Sequence, residues 1–200
     1  MFKKFWIPTG EWPLDVEIYR DFYKKCGFKE TLSQNNADFI ILPGGSDIGA
    51  RKNRDDYEIN VIESSKINGT PLVAICRGMQ LYLWLHGHKI ITELENKDAI
   101  LQHTCIEGEW TGNNSYHTTT SGLYVNSRHH QGFHIDSINN KKSVLQSTQD
   151  GIIEAYIDNW IFGVQWHPEH MQYDTKEWKW YLKTLNNFLK KHNNGLRKHK

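Results

Sequence analysis

Cys76 is the residue whose type and position most directly suggest chemistry in this 200-residue chain. It follows the apolar run PLVAI at residues 71–75 and precedes RGMQ at 77–80, a pattern that predicts a buried strand turning into a helix. A thiol at such a corner lies at the carboxyl end of a strand and beside a positive helix N-terminus, which favours a reactive thiolate. The alternative is a structural cysteine, because free cysteine commonly packs as a small hydrophobe.

A nucleophilic thiol needs a base, and the base needs a group that orients it. The run FGVQWHPE at residues 162–169 offers both, since His167 follows an apolar strand and Glu169 lies two residues further on. If this strand lies beside the Cys76 strand, His167 emerges at the same edge of the sheet as the thiol. A histidine at a strand end is more often structural than catalytic, so the pair gains weight only together with other features.

Two adjacent glycines supply a third feature. Gly44 and Gly45 follow the apolar run DFIIL at residues 38–42, and glycines at a strand end let backbone N–H groups approach an anion closely. Gly-Gly pairs are also common in plain turns. Their occurrence together with a strand-end cysteine and a His-Pro-Glu sequence favours the functional interpretation.

The elements that must position these residues alternate between strand and helix patterns in the first half of the chain. The predicted strands lie at 2–7, 28–32, 38–42 and 71–75, and the predicted helices at 14–26, at 55–67 and from residue 77. This alternation predicts a mostly parallel sheet covered by helices on both faces.

The second half of the chain has a less regular pattern. Residues 87–123 are polar and predict loops with one or two short strands. Short strands are then predicted to extend the sheet in antiparallel fashion, at 123–125, 143–147, 152–157 and 160–166. An amphipathic helix at 175–191 closes the pattern.

Composition limits the classes of function. With 24 basic and 23 acidic residues the formal charge is +1, so no global field argues for nucleic acid or a membrane surface as partner. No run approaches the ~20 apolar residues of a membrane span, and the N-terminus lacks the apolar core of a signal peptide. We expect a cytoplasmic protein with a single domain over residues 1–200 that ends in a frayed basic tail at 194–200.

Cysteine and histidine usage argues against a metal. The 3 cysteines lack close spacing, which fits reduced thiols better than a disulfide framework or a zinc site. The histidines that could be read as ligands lack a compact zinc spacing with cysteine, namely His86, His88, His129, His130, His134 and His170. No metal and no cofactor are expected.

Four ordered motifs resemble those of the class I glutamine amidotransferase-like family, and most closely its γ-glutamyl hydrolase branch. They are PGGSD at 43–47, ICRGMQ at 75–80, VNSRHHQ at 125–131 and GVQWHPE at 163–169. The match runs in order from about residue 38 to residue 169. The resemblance implies a three-layer, flavodoxin-like α/β fold with a mostly parallel central sheet, helices on both faces and additional antiparallel strands.

The resemblance also implies roles for individual residues. It implies a cysteine hydrolase that cleaves a γ-glutamyl amide through a γ-glutamyl thioester, with a triad of Cys76, His167 and Glu169. An oxyanion hole would come from the N–H groups of Arg77 and the Gly44–Gly45 loop. The residues implied to hold the glutamyl group or shape its pocket are Gln80, Asn126, Ser127, Arg128, His129 and His130. An Asn-Ser pair is also common in turns.

The chain departs from the family pattern in three ways. Ala74 stands two residues before the cysteine, where glycine is common, and is small enough to leave the corner intact. The segment between the first helix and Asp38 is shorter than usual, so we expect one helix of the family sheet to be missing there. No synthetase or other acceptor domain is fused within the 200 residues, which favours a stand-alone hydrolase with no obligate synthetase partner.

The leaving group is less well specified. Cations surround the predicted site, in the run GARKNR at 49–54 and at Arg77 and Arg128 beside two of the motifs. They favour an anionic leaving group over a polyamine. The family chemistry that suits this is hydrolysis of γ-glutamyl-cytidine-diphosphate amidate in capsular phosphoramidate biosynthesis. Three aromatic residues could stack a base, namely Trp12, Trp110 and Tyr116. Loop cations can equally be solvated, and loop aromatics can pack inward.

Three functions remain open at this stage. The favoured one is a γ-glutamyl hydrolase that acts on a small metabolite, including γ-glutamyl polyamines. The second is the glutaminase subunit of a two-chain amidotransferase, which predicts weak activity alone and stimulation by a partner. The third, a non-catalytic binding protein, is disfavoured because Cys76, His167 and Glu169 are all present.

Overall fold

A computed structural model describes residues 3–9, 16–91, 94 and 115–196 of the chain. Within them the strands are β1 (Lys4–Trp6), β2 (Lys29–Glu30), β3 (Phe39–Leu42), β4 (Leu72–Ile75), β5 (Ile90–Ile91), β6 (Ser115–Thr118), β7 (Tyr124–Ser127), β8 (Gly132–Phe133), β9 (Val144–Ser147), β10 (Ile153–Ile157) and β11 (Ile161–Val164). The α-helices are α1 (Glu17–Lys25), α2 (Lys52–Asn68), α3 (Arg77–Leu85) and α4 (Lys176–Leu196).

The central sheet has seven strands in the order β2-β1-β3-β4-β11-β10-β9. The first five strands are parallel, in the order typical of flavodoxin-like folds. β10 pairs with β11 in antiparallel fashion, and β9 pairs with β10 in the same way. This confirms the predicted mostly parallel sheet with additional antiparallel strands. The prediction that residues 160–166 join in antiparallel fashion was wrong, because β10 already runs against the sheet and β11 reverses the chain again beside β4.

Alternating side chains of the central strands face two separate cores, which places helices on both sides of the sheet. On one side α1 and α4 pack over alternate residues of β3, β4 and β11, and a 2.6 Å hydrogen bond joins the hydroxyls of Tyr23 and Tyr181 inside this core. On the other side α2 and α3 cover the remaining strand residues, including Ile40, Leu72 and Ile161. The predicted three-layer arrangement is confirmed.

Two strand pairs stand apart from the central sheet, β5 with β8 and β6 with β7. The prediction that residues 123–125 extend the central sheet was wrong, because β7 pairs with β6 as an antiparallel hairpin. β5 and β6 are short strands within residues 87–123, as expected. Residues 92–93 and 95–114 lie outside the described residues, and so do Trp12, Cys105 and Trp110.

The chain ends and connections differ in detail from the predicted pattern. A single 3-10 turn, Gln34–Asn36, connects β2 to β3 where a helix of the family sheet was expected to be missing. α4 runs to Leu196, so residues 194–196 are helical rather than frayed, and residues 197–200 lie outside the described range. None of the helices in the described part of the chain is long and apolar enough to cross a membrane.

Candidate active site

Three neighbouring strands end at the same edge of the sheet and carry the residues that the sequence singled out. Gly44 follows β3, Cys76 follows β4, and His167 lies three residues beyond β11. The parallel register pairs Ile75 with Val164, and the Cys76 N–H donates to the Val164 carbonyl at 2.8 Å. The structure therefore brings the thiol, the histidine and the glycine loop together, because β11 lies beside β4 as the functional interpretation required.

Cys76 occupies a sharp corner between strand and helix. Its φ of 49° is in the left-handed region, which is costly for a residue with a side chain and is often found at functional sites. The residue is the N-cap of α3, so the thiol lies at the positive end of that helix. Close packing of α3 on β3 requires Gly78, because a Cβ there would overlap the Leu42 carbonyl group. Ala74 lies buried in β4, and the corner forms despite the missing glycine.

His167 is held by Glu169 and turned toward the thiol. Its Nδ1 donates to Oε1 of Glu169 at 2.6 Å, which leaves Nε2 for Cys76. Glu169 can reach back to His167 because Pro168, which lies between them, begins the 3-10 turn Pro168–His170. Burial alone would lower the pKa of His167, but the charges of Glu169 and Cys76 and the hydrogen bonds to both raise it to about 10. The arrangement therefore favours a protonated His167 beside the sulfur at neutral pH.

This pairing predicts the pH dependence of thiol reactivity. At pH 7, alkylation of Cys76 by iodoacetamide should be about tenfold faster in the wild type than in His167→Gln, because a protonated imidazole stabilises negative charge on the reacting sulfur. This advantage of the wild type should shrink as the pH rises through about 10, where His167 loses its proton. Mass spectrometry of the Cys76 peptide measures both profiles.

Cys26 provides an internal control for this measurement. Burial raises the pKa of its thiol to about 12, so it should react slowly at every pH tested. Equal rates of Cys76 labelling in the wild type and in His167→Gln would contradict the assistance of the thiol by His167. Because the pKa of folded His167 is raised, the pair stabilises the fold fully below about pH 6.5, and this contribution is lost as the pH rises through about 10.

Two of the three residues predicted to form the oxyanion hole have a backbone N–H group that is available. The Gly44 N–H donates to the Tyr19 hydroxyl at 3.1 Å, so it is not available to an oxyanion in this conformation. Within the described residues, the N–H groups of Gly45 and Arg77 donate no hydrogen bond. Gly44 instead keeps space for the imidazole, since a Cβ there would lie 2.9 Å from Cε1 of His167.

A buried charge network holds the glycine loop from the α2 side. Arg54 donates to the Gly44 carbonyl at 2.9 Å and to Oε1 of Glu58 at 2.8 Å. The guanidinium of Arg77 forms ion pairs with Asp55 and Glu58. Both arginine side chains are only 1% exposed. The sequence-based argument that these two cations attract an anionic leaving group was therefore wrong, because carboxylates of α2 already neutralise them inside the protein.

The segment predicted to hold a glutamyl group lies beside the base. Asn126, at the end of β7, donates to the His167 carbonyl and accepts from the His167 N–H, both at 2.8 Å. Its side chain thus fixes the backbone of the base. Ser127 is buried and Arg128 is half-buried. His130 reaches across to Asp47 on the glycine loop, with Nε2 at 3.0 and 3.1 Å from the two carboxylate oxygens.

Gln80 and a residue that sequence reasoning missed complete the surroundings of the thiol. Nε2 of Gln80 donates to the Gln131 carbonyl at 2.9 Å and to Oε1 of Gln165 at 3.2 Å. Nε2 of Gln165 in turn donates to the Cys76 sulfur at 3.4 Å. The period of two along the strand could have found Gln165, because it shares a strand face with His167. Tyr19 was also missed, since its role depends on the packing of α1 against the glycine loop.

One group of side chains near the base has a spacing that could hold a cation. Ligand atoms of His167, Glu169 and His170 lie within 4.8 Å of one another. An ion there would take up nitrogen or carboxylate atoms that otherwise pair with each other and with the thiol. Metal binding at this position would therefore compete with thiol chemistry rather than assist it.

Comparison with known proteins shows a similarity that covers much more of the chain than the four motifs. Residues 35–169 match the Peptidase C26 family model. The gamma-glutamyl-gamma-aminobutyrate hydrolase PuuD of Escherichia coli strain K12 is 27% identical over 164 residues, covering 66% of this chain and 64% of that protein. The gamma-glutamyl-CDP-amidate hydrolase of Campylobacter jejuni is 28% identical over 166 residues, covering 78% of this chain and 70% of that protein. The chain thus spans about two thirds of the length of the curated relatives it matches.

The fold is shared with solved structures of low sequence identity. A glutamine amidotransferase of Thermotoga maritima superposes with a TM-score of 0.55 at 12% identity, covering 96% of this chain and 85% of that one. This likeness concerns the fold alone. The family match covers more than half of the residues and includes the glycine loop, the thiol and the histidine. The chain therefore belongs to the peptidase C26 family.

Proposed function

We propose that this protein is a γ-glutamyl hydrolase with Cys76 as nucleophile, His167 as acid and base, and Glu169 as the group that orients the imidazole. The observation that carries the proposal is the thiol at a strained strand-to-helix corner, beside an imidazole held by a carboxylate at 2.6 Å. The relatives named as gamma-glutamyl hydrolases support the same reaction class.

The geometry suits acyl transfer in two halves. In the first, the Cys76 thiolate attacks the γ-carbonyl carbon, and the N–H groups of Gly45 and Arg77 receive the developing oxyanion, at roughly 2.7–4 kcal/mol each. The His167 imidazolium then protonates the departing nitrogen as the C–N bond breaks, leaving a γ-glutamyl thioester. In the second, neutral His167 takes a proton from water, which attacks the thioester and releases glutamate and the thiolate.

The proposed place of the substrate's amino-acid head is the segment 126–131 together with Gln80. The two are connected because the Gln80 side chain donates to the Gln131 carbonyl. Gln165 donates to the Cys76 sulfur at 3.4 Å. We propose that these groups recognise the glutamyl moiety, while the leaving group extends past the glycine loop.

For the leaving group, we propose cytidine diphosphoramidate, released from γ-glutamyl-CDP-amidate. Support comes from the Campylobacter relative, whose alignment covers 78% of this chain. Arg128 is half-buried in the segment 126–131, and Arg51 is exposed at the start of α2. The second candidate substrate is γ-glutamyl-γ-aminobutyrate, because the Escherichia coli relative is named for its hydrolysis.

A substrate comparison tests this proposal. Glutamate release should show kcat/KM at least about tenfold higher for γ-glutamyl-CDP-amidate than for γ-glutamylputrescine, because a diphosphate meets guanidinium groups and a polyamine is repelled by them. γ-Glutamyl-γ-aminobutyrate belongs in the same panel. Arg128→Gln should reduce this preference, whereas the exposed control Lys25→Gln, on α1, should not.

Three results would contradict different parts of the proposal, namely the leaving group, the stand-alone hydrolase and the reaction class. A preference for the polyamine compound would reject the anionic leaving group but keep the γ-glutamyl hydrolase. Hydrolysis of L-glutamine alone, stimulated by a second protein, would favour the glutaminase of a two-chain amidotransferase instead. Absence of glutamate release from the whole panel would reject the proposed reaction class.

A further inference from the structure

Glu154 is a carboxylate buried beneath the segment proposed to bind the glutamyl head. It lies in β10, within the apolar run IIEAYI at 152–157, and is 0% exposed. The pairing of β10 with β9 is irregular between Ile153 and Ala155, and such irregularities re-aim side chains. A buried carboxylate is costly unless it is paired. Its partners therefore indicate what it does.

Two imidazoles converge on the same oxygen of Glu154. Nε2 of His117 lies 3.2 Å from Oε1, and Nε2 of His129 lies 3.5 Å from the same atom. These two histidines are 1% and 3% exposed. Glu154 belongs to β10, His117 to β6, and His129 to the loop between β7 and β8. One buried carboxylate thus joins three separate parts of the chain.

The protonation states of this group agree with an ion pair. Burial would raise the pKa of Glu154, but His117 and His129 lower it to about 2. Burial would lower the pKa of His117, but the charge of Glu154, whose Oε1 lies 3.2 Å from Nε2, raises that pKa. Glu154 is therefore an anion at neutral pH, and its charge favours a proton on the imidazole beside it.

The ring of His129 connects this carboxylate to the glutamyl segment. Its Nδ1 lies 2.8 Å from the Gln131 carbonyl oxygen, which can only accept, so Nδ1 carries a hydrogen. Its Nε2 faces Glu154, with Oε1 of that carboxylate 3.5 Å away. The same Gln131 carbonyl accepts from Gln80. Both nitrogens of His129 are thus directed at protein atoms, which fits support of the pocket rather than contact with a ligand.

We propose that Glu154 is a positioning residue for the glutamyl pocket: its buried carboxylate, acting through His129, fixes the segment 126–131 beside Gln80. The inference rests on the proposed function, since it takes this segment as the site of the amino-acid head. His117 approaches the same carboxylate oxygen and so ties the β6–β7 hairpin to Glu154. Glu154 acts through these rings and not on the reacting atoms.

Two thiol reagents distinguish an effect on the glutamyl pocket from an effect on the reactivity of Cys76. 6-Diazo-5-oxo-L-norleucine carries a glutamine-like amino-acid head and alkylates a thiol with loss of N₂, whereas iodoacetamide carries no such head. In Glu154→Gln, the second-order rate with the diazo ketone should fall about 10- to 100-fold. Alkylation of Cys76 by iodoacetamide should remain unchanged. Equal loss with both reagents, or loss with neither, would overturn the proposal.

A buried polar residue on the neighbouring strand supplies a matched control. Gln146 in β9 is buried and its Oε1 accepts from Oγ1 of Thr119 at 2.8 Å. Gln146→Leu should leave the ratio of the two alkylation rates at the wild-type value. A drop equal to that of Glu154→Gln would mean that any buried polar loss disturbs the pocket, which would also overturn the proposal.

A second pair of variants keeps the test decisive if Glu154→Gln does not fold. His129→Asn removes the same contact from the loop side and should give a similar selective loss. In the double variant the effects should not add, because the two residues act as one unit, whereas additive losses would assign them separate roles. A wild-type protein in which the diazo ketone has no advantage over iodoacetamide would instead reject the glutamyl pocket itself.

Discussion

Cys76→Ala should abolish glutamate release from γ-glutamyl amides, with a loss of about 10⁴-fold or more in kcat. Without the sulfur no thioester can form, and the His167–Glu169 pair has no nucleophile to serve. The fold should remain, because alanine adopts the same strained corner with a φ of 49° and fills nearly the same space. A coupled glutamate assay and thermal unfolding measure the two effects on one sample.

Cys26→Ala is the matched control for this substitution. Cys26 is the C-cap of α1, and burial raises the pKa of its thiol, which makes it a poor nucleophile. Its loss should leave turnover close to wild type. Full turnover in Cys76→Ala, or an equal loss in both variants, would place the chemistry elsewhere.

Glu58→Ala should be among the most destabilising single changes, at about 3–5 kcal/mol of unfolding free energy. The Glu58 carboxylate is paired with Arg54 at 2.8 Å and also with Arg77, and its side chain is 0% exposed. Its removal leaves two buried guanidinium groups without the carboxylate they share. Urea unfolding monitored by tryptophan fluorescence measures the change.

Asp56→Ala provides the comparison on the same helix. Asp56 is exposed and pairs with Lys52 in an i,i+4 arrangement, so its loss should cost no more than about 0.5 kcal/mol. If Glu58→Ala were equally mild, the buried network would not be what holds the glycine loop. The folded fraction of Glu58→Ala should also show slower acylation, since Arg54 and Arg77 position the loop and the first turn of α3.

The sequence singled out the thiol and the histidine of the candidate site because strand ends are readable from local patterns. Cys76 and His167 each follow an apolar strand, and parallel strands deliver such residues to one edge. The glycine pair was recognised in the same way. What local patterns could not supply was the pairing of distant strands, so β7 was assigned to the central sheet although it pairs with β6.

The charges were the least predictable part of the site. Arg54 and Arg77 read as loop cations available to a substrate, yet each is neutralised by carboxylates of α2. The i,i+4 spacing of Arg54 and Glu58 was a visible signal for an ion pair, but burial of the pair depends on how α2 packs. Glu154 was visible as an acid within an apolar strand, whereas its histidine partners come from segments far away in sequence.

The double hydrogen bond between Asn126 and the His167 backbone has a consequence for how substrate range can diverge in this fold. A substitution that reshapes the surroundings of Asn126 also displaces His167, since the amide bonds to both the N–H and the carbonyl of that residue. Under the proposed function, recognition of the glutamyl head is therefore coupled to the position of the imidazole that transfers protons. New specificities should therefore arise by changing the nitrogen-bearing half of the substrate while the glutamyl half stays constant.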